Sequence, residues 1–136
     1  MMKTVLLFVA LICAVALSSS SSTTVAGVSM SNQKERAVAN FDQPVKLLDV
    51  VLEGEYLFVH DDAAMMRGEM CTFVYKGVME TPDKLVISFH CIPKSRTKVA
   101  SFTVRTNHIS PGITEVREIQ FAGSTEAHLV PTRQGA

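Results

Sequence analysis

The chain has no tryptophan, and its 136 residues include only three cysteines, Cys13, Cys71 and Cys91. The short motifs that would name a chemistry outright are missing. There is no P-loop, no G-x-G-x-x-G, no H-E-x-x-H and no glycosylation sequon, which removes the usual signatures of nucleotide binding and zinc proteolysis. No G-x-S-x-G elbow seats a nucleophilic serine. No C-x-x-C suggests redox work or a zinc knuckle. Charge of one sign is also lacking: 13 Lys and Arg offset 13 Asp and Glu. Both signs are scattered, so nucleic acid and membrane surfaces are not expected partners. No internal repeat is visible.

What is present starts at the N-terminus. One lysine, Lys3, precedes an apolar run from Val5 to Leu17, and the small-residue stretch SSSSSTTVAG follows. The run is shorter than the roughly 20 residues a bilayer span needs. A charged start, a short apolar run and small residues describe a secretory signal peptide. It covers residues 1–26, with cleavage after Ala26 and Ala16 as the alternative. Cys13 is lost either way, and Ile12 beside it argues against lipid attachment. The expected location is periplasmic or secreted, with no membrane span left after cleavage.

The remaining residues, about 110, make one domain with a modest core. Residues 27–44 read as a flexible lead, with a helical turn at Gln33–Ala39 and a stop at Pro44. Residues 45–136 read as a single β domain. Val45–Leu52 and Tyr56–His60 are strand-like, joined by a Glu53-Gly54 turn. Cys71–Gly77 and Leu85–Cys91 alternate apolar and polar residues with period two. Folded about Thr81, that hairpin sets Phe73 opposite Phe89, Tyr75 opposite Ile87 and Cys71 opposite Cys91. Directly opposed Cα atoms lie about 4.5–5.5 Å apart, a separation that suits a disulfide. An oxidising compartment would form it, for roughly 3 kcal/mol in the chain-entropy view.

A second hairpin runs from Val99–His108 to Thr114–Ala122 through Pro111-Gly112. Its register pairs Phe102 with Phe121, Val104 with Ile119 and Arg105 with Glu118. A four-residue loop, Ser110–Ile113, is expected, because an L-Pro-Gly type II turn matches strand twist poorly. A short strand near Leu129 completes an all-β fold, a small antiparallel sandwich or barrel of about six to seven strands. An α+β domain is the alternative if Gln33–Ala39 or Ala63–Arg67 is a helix.

If the strands from Tyr56 onward form a simple meander, His60, Asp61, Asp62, Glu69, His90, Glu126 and His128 share one pole. His108 goes to the other. Imidazole and carboxylate are ligands for Zn, Cu or Fe and are also general acids and bases. The candidate metal set is His60, His90 and His128 with Asp62 and Glu126, for Zn or Cu. Asp61 and Glu69 are further polar residues at the pole. Met65, Met66 and Met70 add soft donors of the kind copper accepts, although methionine on an apolar turn also fills core gaps. Loops collect polar residues in any case, and Asp61 or Asp62 suits a helix cap. Ser124 near Glu126 and His128 is the one hint of a triad. No residue is assigned a catalytic role.

The runs YLFVHDDAAMMRGEMCTFVY, ISFHCIP and IQFAGSTEAHLVP resemble those of small, exported, uncharacterised bacterial proteins. The resemblance covers most of the chain after Asp42. It implies export and a compact β domain, and no activity or ligand. Two functions follow: a non-catalytic exported β domain with a binding or structural role in the envelope, and a small metal-binding protein or metalloenzyme.

Overall fold

A computed structural model describes residues 33–132. The expected signal peptide and the first residues of the expected lead lie outside the described residues. The elements are β1 (Lys34–Leu47), β2 (Val50–Asp61), a five-residue helix α1 (Asp62–Met66), β3 (Thr72–Lys76), β4 (Leu85–Phe89), β5 (Ile92–Ser95), β6 (Thr103–Ser110), β7 (Ile113–Gln120) and β8 (Glu126–Leu129). The fold is all-β. Its eight strands form one curled sheet, a half-barrel, in the order β4-β3-β2-β1-β7-β8-β5, with β6 on β7.

Strand β1 corrects the flexible lead and its helical turn. Burial alternates along it: Glu35, Ala37, Ala39 and Phe41 are half-buried while Lys34, Arg36, Val38 and Asn40 are exposed. Two alanines and a glutamate make a weak apolar stripe. Pairing with β2 along nearly its whole length supplies what local propensity does not. Pro44 does not end the segment. The β1–β2 register jumps from Phe41↔Gly54 to Val45↔Leu52, and Pro44 sits in that bulge, where no ladder N–H is required. Opposite the bulge Gly54 has φ +89°, a conformation glycine adopts without penalty. It kinks β2 and makes no chain reversal. The reversal falls instead at Leu48-Asp49, between the paired Leu47 and Val50, and splits the expected Val45–Leu52 strand.

From Tyr56 to His60 strand β2 is buried on both faces. Leu52, Tyr56 and Phe58 enter the main core, and Leu57 and Val59 meet Phe73 and Tyr75 on the other face. That second apolar face sets the β3–β4 register. Thr72 pairs with Phe89, Phe73 with Ser88 and Val74 with Ile87, one residue from the expected register, with a shift before Tyr75↔Leu85. A one-residue slip moves every side chain to the opposite face. Val74, not Phe73, therefore joins Ile87 and Phe89 in the main core.

The β6–β7 hairpin has the expected register at Val104↔Ile119 and Arg105↔Glu118, then shifts by one residue between Arg105 and Thr106. Phe102 and Phe121 stand with ring centroids 5.0 Å apart. Its turn is tighter than expected: Ser110 and Ile113 are paired, and a register shift between His108 and Ser110 absorbs the twist mismatch.

The simple meander breaks after β4. β4 ends at Phe89, β5 starts at Ile92, and the two lie at opposite ends of the strand order. Three residue steps reach about 10 Å at most, so the sheet must curl until its ends meet at His90-Cys91. The interior holds an aromatic row, Phe58 to Phe102 at 5.4 Å and Phe102 to Phe121 at 5.0 Å. The short helix α1 is capped by Asp61, whose Oδ1 accepts the Ala64 N–H at 3.1 Å. Among the described residues no helix is long and apolar enough to cross a membrane.

On the face of β7 away from the aromatic row, Glu118 is buried and accepts hydrogen bonds from Arg96 and Arg105. Burial opposes its charge, but the two guanidinium groups more than offset this and hold its pKa below the ordinary 4.5. A carboxyl with a depressed folded-state pKa stabilises fully above its unfolded pKa, and that contribution is lost as pH falls through the folded value. Both arginines are more than a third exposed, so solvent screens the pairs. Glu118→Gln is expected to lower unfolding free energy by about 2 kcal/mol near neutral pH. In urea titrations the gap between wild type and variant should close as the medium is acidified below the ordinary carboxylate range.

Candidate metal centre

The final inward position of β2 is His60. Directly opposite it on β1 is Glu35, and on its other flank is Thr72 of β3. Opposed residues on one face have Cβ atoms about 4.5–5.5 Å apart, so the Glu35 carboxylate is a cross-strand neighbour of the imidazole. β8 supplies His128, opposite Ile119 of β7 and Pro93 of β5. The curl stacks the two imidazoles with centroids 3.7 Å apart and planes 24° apart. Phe121 stands against both, at 6.4 Å from His60 and 6.1 Å from His128.

The sulfur atoms come from the seam. Cys91 lies on the link between β4 and β5, and Cys71 immediately precedes β3. Cys91 Sγ is 3.4 Å from His60 Nε2, 3.6 Å from His128 Nδ1, 2.7 Å from Cys71 Sγ and 3.9 Å from Met65 Sδ. His60, Cys71, Cys91 and His128 are all buried.

The two cysteines meet, as expected, but the expected disulfide is not formed. Both are free thiols, and 2.7 Å between sulfurs exceeds the bond length of about 2.03–2.05 Å. The slipped β3–β4 register accounts for this, because Cys91 no longer stands directly across from Cys71. Instead Cys71 Sγ accepts the Cys91 backbone N–H at 3.1 Å.

Burial, with Cys71 adding to it, pushes the Cys91 thiol up to about 12. Cys91 is therefore protonated near neutral pH and is no free nucleophile; only a bound cation would displace that proton. Burial lowers the pKa of His60 against the partial opposition of Asp62 and Asp61. Burial, then the neighbouring His60, lowers His128 to about 4. Both imidazoles are neutral near neutral pH, the form that binds metals.

Carboxylates gather at the same place. Asp62 Oδ1 is 3.2 Å from His60 Nδ1, without an aligned hydrogen bond, and Glu126 Oε1 is 3.9 Å from His128 Nδ1. Burial, then Asp62 and Glu126, raises the pKa of Glu35; burial, then Asp62, raises that of Glu126. The three like charges crowd one another, a condition a cation would relieve. Among the described residues His60 Nδ1, His128 Nε2 and Thr72 Oγ1 are buried without an aligned hydrogen bond, the two nitrogens being those not nearest Cys91. Such groups cost about 1–3 kcal/mol each, so three in one cluster call for a cause. One donor atom each from His60, Cys71 and Cys91 lie within 4.8 Å of one another, and so do donors from Glu35, His60 and His128. Glu35 and Phe121 also line a cleft of about 430 Å³, so the cluster borders solvent on that side.

Of the expected set, His60, His128, Asp62 and Glu126 come together. His90 does not: it alternates with the buried Phe89 and Cys91 and is exposed on the outer face, where that alternation puts it. Glu69 is exposed and pairs with Arg67 at 3.0 Å. Asp61 is spent as the cap of α1. Ser124 Oγ bonds the backbone of Glu126 and not His128, so no triad exists there. Met66 and Met70 are exposed, and Met65 alone of the three reaches the sulfurs. Glu35 and the two thiols are donors that sequence reasoning missed. The alternation Glu35, Ala37, Ala39, Phe41 was the available signal for Glu35.

No protein-family model matches the chain, and no curated protein and no solved structure matches it significantly.

The thiol state is directly measurable. Alkylation after unfolding without reductant is expected to modify both Cys71 and Cys91, while native protein reacts slowly because both are buried. A Cys71–Cys91 cross-linked peptide in the mass spectrum would contradict it.

Proposed function

We propose that this protein binds a transition-metal ion through His60, His128 and Cys91. The observation that carries this reading is the buried convergence of Cys91 Sγ with one nitrogen of each histidine, at 3.4 and 3.6 Å. For bonds of about 2.0–2.1 Å to nitrogen and 2.3 Å to sulfur, sulfur and nitrogen ligands of one ion stand about 3.5–3.8 Å apart. These sulfur–nitrogen separations match, and one of the two stacked rings must rotate for both nitrogens to face one ion. Two sulfurs on one tetrahedral ion stand about 3.8 Å apart by the same reckoning, against 2.7 Å here. Cys71 would have to draw back by about 1 Å, so Cys91 is the thiolate ligand and Cys71 its hydrogen-bonding neighbour.

Asp62 takes a supporting part in this reading. It faces Nδ1 of His60 while Nε2 faces the sulfur, the carboxylate–histidine–metal arrangement that orients a ligating ring. Glu35, on the cleft side, is a further carboxylate donor. On its first 26 residues we take the protein to be exported, and we assign it no catalytic step: holding the ion is the activity.

Metal analysis of protein purified without an immobilised-metal column tests this. About one equivalent of Zn or Cu per chain is expected, with a chelator lowering the melting temperature and His128→Ala or Cys91→Ser abolishing uptake. No metal uptake together with melting indifferent to chelator would sink the reading. Asp62→Asn, which leaves the ligands in place, is expected to keep the stoichiometry and weaken affinity about 10- to 100-fold, measured by competition with a chromophoric chelator.

A further inference from the structure

Building on the metal-binding reading, we infer that the ion is copper, held by the Cys91 thiolate, His60 Nε2 and His128 Nδ1, with the Met65 thioether as a weak fourth ligand. Two histidines, one cysteine and a long methionine contact form a donor set selective for copper in electron-transfer sites. Zinc takes thiolate, imidazole and carboxylate and makes no use of a thioether.

Cys91 Sγ stands 3.4 Å from His60 Nε2 and 3.6 Å from His128 Nδ1, so each ring offers a nitrogen to the same sulfur. Met65 Sδ lies 3.9 Å from Cys91 Sγ, close to the separation of about 3.8 Å for two sulfurs on one ion, with room for the longer axial bond. Met65 reaches that position because α1 is anchored by its Asp61 cap and Met65 packs against the core. The competing set, Glu35 with both histidines, suits zinc and shares the same rings. The sulfur set is favoured because Cys91 faces a nitrogen of both rings, and Asp62 already stands at the other nitrogen of His60. Coordination in the plane of both imidazoles requires one of the stacked rings, now 24° apart, to rotate. On binding copper(II), Cys91 releases its proton to solvent and forms one sulfur–copper bond.

The neighbouring thiol opens a competing reaction. Two copper(II) ions can each take one electron from Cys71 and Cys91, giving a disulfide, two copper(I) ions and two protons. Cys71→Ser closes this route and leaves every proposed ligand in place.

The test is an anaerobic titration of metal-free protein with copper(II), in wild type and Cys71→Ser, followed by visible absorption and electron paramagnetic resonance. Zinc(II) is titrated in parallel, and circular dichroism monitors the fold. An intense thiolate-to-copper(II) charge-transfer band is expected in Cys71→Ser, saturating near one equivalent. It should vanish in Cys71→Ser/Cys91→Ser and persist at shifted energy in Cys71→Ser/Met65→Leu. A band unmoved by Met65→Leu removes Met65 from the ligand set, and no band in folded Cys71→Ser overturns the copper assignment. If zinc still binds in that case, the metal-binding reading stands and only its copper form falls. If neither ion binds, both fall.

Discussion

The two-residue link His90-Cys91 constrains the rest of this structure. It joins β4, at one end of the strand order, to β5 at the other. A span that short cannot cross an open sheet, so the sheet rolls up and its ends meet at one rim. The same roll carries β8 toward β2 and stacks His128 on His60. The link also hangs Cys91 between the two imidazoles and Cys71. Chain connectivity, more than any local preference, assembles the cluster.

The cluster has a consistent electrostatic character. Its imidazoles and the Cys91 thiol are buried deeply enough to be held neutral, and carboxylates crowd its open side. Among the described residues, Thr72 Oγ1 and His128 Nε2 have no hydrogen-bond partner. Apolar core normally surrounds such groups with satisfied hydrogen bonds. Here Phe121 walls the rings and supplies none. By contrast Glu118, on the opposite face of the sheet, is clamped by Arg96 and Arg105. One buried polar group is completed by its neighbours, and in the other cluster two ring nitrogens and the Thr72 hydroxyl lack an aligned hydrogen bond.

Legibility from sequence followed the strength of local pattern. The β6–β7 register was readable because apolar and charge pairs agree on it: Val104 with Ile119, Arg105 with Glu118. The β3–β4 register was not, because Phe73 and Tyr75 pack on a second apolar face with Leu57 and Val59. A rule that sends aromatic residues to one core then chooses the wrong face of β3. β1 was hidden because Ala37 and Ala39 barely mark an apolar face. Glu35 was lost with β1, although it lies directly across from His60. Histidine and carboxylate enrichment did single out His60, His128, Asp62 and Glu126.

The residues alone determined that this chain makes strands rather than helices and that its Pro-Gly hairpin pairs Val104 with Ile119 and Arg105 with Glu118. These follow from period-two alternation and turn chemistry, which act over a few neighbouring positions. Only the tertiary structure decided which histidines meet, that Cys71 and Cys91 remain thiols beside them, and that Glu35 joins them. Those outcomes depend on which strand lies beside which and on a one-residue choice of register, and both are set by packing between segments far apart in the chain.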